Sequence, residues 1–245
     1  MKRFPLNKAK IYITNDSNSF GNIDYDKETE IPVGDHLGAF GTQRKYHCHE
    51  GIDLYCNEGD SVYAIEDGEV ILIEDFTGKK ANSDWWNDTM AVHVIGLSGI
   101  INYGEITPID TIHEGQKIKQ GDLIGYVATV LKKDKGRPIN MLHLELYEPE
   151  FGSNRGVTWN IGEPKPKYLK DPTELIKSCS VSFGCCIMNK DEQRKLINEW
   201  RDKEIHPCYT KNKVNFPLCK GDELALYLNK CDKCNLYEKN FKSGS

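Results

Sequence analysis

The chain has 245 residues, 38% of them apolar and 28% charged, with a formal net charge of −5. That length buries a substantial core, so it fits one large β domain or two unequal domains. No apolar run approaches the roughly 20 residues of a membrane span, and an acidic balance repels phosphates, which argues against a nucleic-acid partner.

The first residues, MKRFPLNKAKIYIT, are basic but hold no apolar stretch long enough for a secretory core, so no signal peptide is visible. A trimmed export signal would leave the same start. Next comes HCHEGIDLY, residues 47–55, two histidines and two carboxylates around Gly51. In a fully extended strand His49 and Asp53 would stand roughly 13 Å apart, too far for ligands that each sit about 2 Å from one ion. Gly51 can bend the chain and bring His49 back over the strand that carries Asp53. His47, two positions earlier, reads as a solvated loop histidine or a spare proton carrier. Cys48 and Cys56 bracket the motif and would brace it as a disulfide if their Cβ atoms approach to about 4 Å.

Residues 58–74, EGDSVYAIEDGEVILIE, alternate apolar and polar side chains around glycines, which predicts two strands linked as a hairpin. Trp85 and Trp86 follow in a polar loop, where adjacent aromatics either anchor the loop or stack on a substrate. The alternation returns at 90–106, 114–127 and 140–148, so the expected fold is mainly antiparallel β. His93 falls inside one apolar alternation and reads as a satisfied strand histidine. In MLHLELYE, residues 141, 143 and 145 share a face, so His143 could complete a set with His49 and Asp53. Two histidines and one aspartate suit a zinc ion that keeps a position open for water or a carbonyl. On spacing alone, a solvated turn and a packed histidine fit the same residues better. DPTELI, 171–176, predicts a short helix opened by Asp171, with Pro172 at its first position.

The remaining residues differ in composition. Residues 179–245 hold seven of the nine cysteines and 12 Lys/Arg against 9 Asp/Glu, whereas 1–178 hold 20 against 28. A β domain over 1–178 and a small cysteine-rich helical region over 179–245 are therefore expected, the helices in NKDEQRKLINEWRDKE and GDELALYLNKCDKC. One CDKC pair has no second pair at zinc-ribbon spacing, so disulfides rank ahead of a thiolate metal site. The tail is also a candidate surface for a protein partner.

Around HEGIDLY and MLHLE the sequence resembles the lysostaphin and LytM type of peptidoglycan-cleaving zinc metallopeptidases, and the similarity runs from about Phe40 through Pro172. The resemblance implies a β-sheet or sandwich domain, one zinc ion on His49, Asp53 and His143, a peptidoglycan peptide as partner, and action outside the cytoplasm. The chain departs from that family at two histidines beside the metal. Met141 stands at the first half of the family's His-x-His, and Glu105, in NYGEI, stands nearest the other. Met141 can only pack. Glu105 is a candidate general base, or else a surface glutamate in a turn. Glu145 would hold a ligand imidazole through its free N–H, or pair with a lysine. The function implied is a zinc endopeptidase of the cell wall. The alternative is a zinc-retaining module that binds wall peptides without cleaving them, and a lipoyl-type carrier is disfavoured because no lysine stands in that local pattern.

Overall fold

The computed structural model describes residues 2–14, 23–133 and 139–181, and the backbone at 215–216 and 219–220. Its strands are β1 (Ala9–Ile13), β2 (Glu28–Pro32), β3 (His47–Cys48), β4 (Ile52–Tyr55), β5 (Ser61–Tyr63), β6 (Gly68–Thr77), β7 (Thr89–Gly96), β8 (Gly99–Pro108), β9 (Lys117–Ile118), β10 (Leu123–Val127), β11 (Met141–Tyr147), β12 (Trp159–Asn160) and β13 (Leu169–Lys170). Helix α1 (Thr173–Ser178) follows. By internal contacts the chain divides into two compact units, Met1–Val181 and Ser182–Ser245.

In the first unit, eleven strands form one sheet with the path β1-β2-β4-β11-β8-β7-β6-β9, β13 joining β11, and β10 linking β8 to β5. The pairing is antiparallel, as expected, except for the parallel β1 and β2. Strand alternation divides the chemistry between the two faces. Ile52, Leu54, Leu142, Leu144, Ile101, Tyr103, Val92 and Val94 enter one apolar core. Their neighbours Asp53, His143, Glu145, Asn102 and His93 face the other way, and cross-strand register sets Asp53 opposite His143, Glu145 opposite Asn102, and Asn102 opposite His93. A period of 2 thus gathers the polar residues of four strands on one face.

The hairpin expected within 58–74 does not form, because β5 pairs with β10 while β6 pairs with β7 and β9. The link between them is buried. Ala64 and Ile65 are 0% exposed, the Ala64 N–H donates to the Asp122 carbonyl and the Ile65 N–H to the Tyr103 hydroxyl. The chain therefore crosses the core instead of folding back. The short helix does form as expected, with Asp171 Oδ1 accepting the Thr173 N–H at 2.8 Å and Ile176 buried in the core.

The disulfide brace between Cys48 and Cys56 is absent, since Cys48, Cys56 and Cys179 are all free. Cys56 belongs to the apolar core, whereas Cys48 lies on β3, opposite Trp159 of β12, away from that core. Cys179, counted by composition with the tail, packs into the core of the first unit with its Sγ 3.2 Å from the Leu175 carbonyl. The helices expected in 189–204 and 221–234, and the side chains of the other tail cysteines, lie outside the described residues. In the second unit, β14 (Asn215–Phe216) and β15 (Cys219–Lys220) pair antiparallel. Among the described residues no helix is long and apolar enough to cross a membrane.

Candidate metal centre

His49, Asp53 and His143 meet as one buried group. His49 Nε2 lies 3.2 Å from His143 Nδ1 and 3.1 Å from Asp53 Oδ1, and His143 Nδ1 lies 2.9 Å from the same oxygen. Three ligands on a tetrahedral zinc, each about 2 Å from the ion, would be separated by about 3.3 Å, so this triangle needs little adjustment. The outer ring nitrogens have acceptors of their own. His49 Nδ1 faces the Ala39 carbonyl at 3.1 Å, and His143 Nε2 faces Glu145 Oε1 at 3.1 Å. With protons on those outer nitrogens, Nε2 of His49, Nδ1 of His143 and the carboxylate all turn lone pairs inward. Three convergent acceptors suit a cation.

Without an ion, a proton takes the cation's place. Against the desolvation of burial, hydrogen bonds to Asp53 and Glu145 hold the His143 imidazole well above its ordinary range. Burial pushes His49 down to about 4. Burial also works against ionisation of Asp53, but His49 and Arg44 outweigh it and keep that carboxyl well below the usual range. A metal ion at this triangle would compete with the His143 proton, and its affinity would rise with pH.

Gly51 acts through space. A Cβ there would stand 2.3 Å from the Leu144 carbonyl oxygen and 2.9 Å from the His143 ring, so the absence of a side chain lets β11 bring His143 against this turn. Gly104, opposite His143, leaves room for the Phe76 ring, whose centroid is 5.4 Å from that of His143. Glu145 is held on three sides, by His143, by Asn102 Nδ2 at 2.7 Å and by the Tyr147 hydroxyl at 2.7 Å. Its Oε1 thus meets the outer ring nitrogen of His143, a candidate ligand.

Glu105 occupies a bulge. Met90 pairs with Ile106 but Val92 with Tyr103, so β8 carries an extra residue there, and Glu105 has φ 62°. At this point β8 exchanges its neighbour β11 for β10, since Gly104 pairs with His143 and Ile106 with Val127. A left-handed glutamate is strained, and such residues cluster at functional sites. Glu105 Oε2 is buried without a hydrogen-bond partner, and burial together with the Asp53 charge pushes its pKa up to about 8.

Glu105, His49, His143 and Glu145 line a cleft of about 410 Å³ with His47, Trp86, Arg44 and Arg155. His47 is no free loop residue, since it forms part of the wall with Nε2 3.7 Å from Glu50 Oε2. Trp86 is tied to Leu131 by a backbone bridge, and Trp85, packed edge-on against it, is 66% exposed. His93 is half-satisfied, with Nε2 bonded to Glu74 at 2.9 Å and Nδ1 without a partner. No motif or period pointed to Arg44, whose Nη2 donates to Asp53 Oδ2 from an irregular loop. Alternation could have found Tyr147, which shares a face with Glu145, whereas Asn102 is set opposite Glu145 by strand register.

Residues 47–155 match the family model described as peptidase family M23. Among solved structures, the chain is similar to the catalytic domain of the antimicrobial peptidase lysostaphin from Staphylococcus simulans, at 17% identity over 58% of this chain and 91% of that one, with a TM-score of 0.38. A zinc-containing peptidase from Vibrio cholerae is 18% identical over 64% of this chain and 39% of that one, TM-score 0.35. A variant of the catalytic domain of the prophage-encoded M23 protein EnpA from Enterococcus faecalis is 20% identical over 51% of this chain and 88% of that one, TM-score 0.35. No curated protein matches the chain.

Proposed function

We propose that this chain, a member of peptidase family M23 through residues 47–155, is a zinc endopeptidase that hydrolyses peptide bonds of peptidoglycan. The observation that carries the reading is the meeting, in one cleft, of three inward-facing acceptors with the Glu105 carboxylate, whose Oε2 is buried without a partner. A zinc ion held by His49, Asp53 and His143 would polarise the scissile carbonyl, acidify water, and favour the ionised form of Glu105 through its charge. Glu145 and the Ala39 carbonyl keep the two imidazoles in the ligating tautomers. Glu105 takes one proton from the attacking water as the new C–O bond forms. It then returns that proton to the amine nitrogen as the C–N bond breaks.

Zinc-loaded protein incubated with purified peptidoglycan should release new amino termini, detected by mass spectrometry of the soluble fragments. Glu105→Gln should keep zinc and lower the rate about 100-fold or more, because the amide cannot accept the proton. Equal rates would place the base elsewhere. Met141, which offers no proton donor on the strand of His143, supports the second reading, a zinc-bearing module that binds wall peptides without cutting them. Persistent peptide binding with no cleavage by wild type would establish it.

A further inference from the structure

We propose that Arg44 is a catalytic residue, whose guanidinium donates hydrogen bonds to the carbonyl oxygen as negative charge develops on it. This rests on the hydrolytic reading of the same cleft. A guanidinium presents five N–H donors in a rigid fork. Arg44 Nε donates to the Leu37 carbonyl at 3.1 Å and Nη2 to Asp53 Oδ2, so two donors anchor the fork and three have no protein acceptor among the described residues. The side chain is 30% exposed and lines the cleft beside His49, Glu105 and His143.

The tie to Asp53 fixes where those donors stand. Oδ1 of that carboxylate joins the histidine triangle and Oδ2 receives Arg44, so a single carboxylate separates the fork from the point where the three acceptors converge. An ion pair alone would not need the guanidinium to border the cleft. Other donors are less suited. Met141 has none, Arg155 is 70% exposed with Nε 3.5 Å from Glu74, and His47 leans toward Glu50. A fork already held at two points is preorganised, and fixed donors aimed at developing charge are among the largest contributions to catalysis.

The chemistry balances without proton transfer from Arg44. As water attacks the carbonyl carbon, the π pair moves onto oxygen, and the remaining N–H groups hold the resulting oxyanion. When the pair returns and C=O re-forms, the C–N bond breaks and the amine leaves with the proton from Glu105. The guanidinium stays charged throughout because it does not deprotonate in this range.

The test compares zinc-loaded wild type, Arg44→Lys and Arg44→Gln by kinetics on peptidoglycan fragments, zinc content, thermal unfolding and calorimetric titration with inorganic phosphate, a tetrahedral oxyanion. In both variants kcat should fall about 100-fold or more while KM moves less than about threefold and zinc stays at one per chain. Phosphate affinity should fall at least about tenfold in Arg44→Gln. Retained kcat in folded Arg44→Gln overturns the proposal. So does a rise in KM alone, which would make Arg44 a reader of a substrate carboxylate, and so does a loss of activity that only tracks loss of zinc. A wild type that cleaves nothing overturns the hydrolytic reading itself, whereas equal cleavage by wild type and Arg44→Gln removes only the role of Arg44.

Discussion

Replacing Gly51 by alanine tests how the metal centre is assembled, because the added methyl has nowhere to go. Its Cβ would meet the Leu144 carbonyl oxygen at 2.3 Å and two atoms of the His143 ring at 2.9 Å. The carbonyl is backbone of β11, and the ring is a candidate ligand held by Asp53 and Glu145. To reach an ordinary carbon–oxygen contact, the turn and β11 must separate by about 1 Å, and overpacking of this kind costs about 1–3 kcal/mol. Neither neighbour is the free end of a flexible chain, so about 3 kcal/mol is expected. If moving His143 relieves that strain, zinc affinity falls about 100-fold, at 1.4 kcal/mol per factor of ten. Urea unfolding of the metal-free protein and zinc titration against a competing chelator measure the two effects. Gly156→Ala is the control on the same cleft, since its nearest neighbour, Glu145 Oε2, is 3.4 Å away. Stability within 0.5 kcal/mol of wild type, with unchanged zinc affinity, would refute the close-approach argument (a threshold of about the error of such measurements).

Glu105 should also leave a mark on stability in the metal-free protein. Its folded pKa of about 8 lies above the ordinary 4.5, so its contribution is fully present below about pH 4.5 and is lost as pH rises through about 8. Urea unfolding at pH 5 and pH 9 should show Glu105→Gln gaining on wild type between those values, and a constant difference would contradict the burial argument. Glu145→Gln should weaken zinc binding about 10–100-fold, because His143 loses the carboxylate that fixes its tautomer. Chelator competition checks this, and unchanged affinity would show that Asn102 and Tyr147 hold the ring geometry without the charge.

Much of the site was legible because strand alternation is a local property. In IDLY and MLHLELY, and in INY before the bulge at Glu105, every second residue is apolar and enters the core, which leaves Asp53, Asn102, His143 and Glu145 on the opposite face. The resemblance marks the candidate ligands among them, and residues 47–155 match that family's model. What alternation cannot reveal is pairing between distant strands. The hairpin expected within 58–74 failed because Ala64 and Ile65 are apolar and fully buried, and their N–H groups find acceptors in Asp122 and Tyr103 elsewhere in the chain. Arg44 escaped notice for a related reason. It lies in an irregular loop with no period, and only the folded turn brings it to Asp53. The bulge at Glu105 depends on β8 changing neighbours from β11 to β10, which the sequence of β8 does not contain.

Metal analysis of the purified wild type beside His49→Ala, Asp53→Ala and His143→Ala asks whether these three residues hold the zinc. Wild type should hold about one zinc per chain, as expected of one three-ligand site, and each variant should lose it, with the fold retained by thermal unfolding. Undiminished zinc in all three variants would contradict this and assign the ion to cysteines of the C-terminal region.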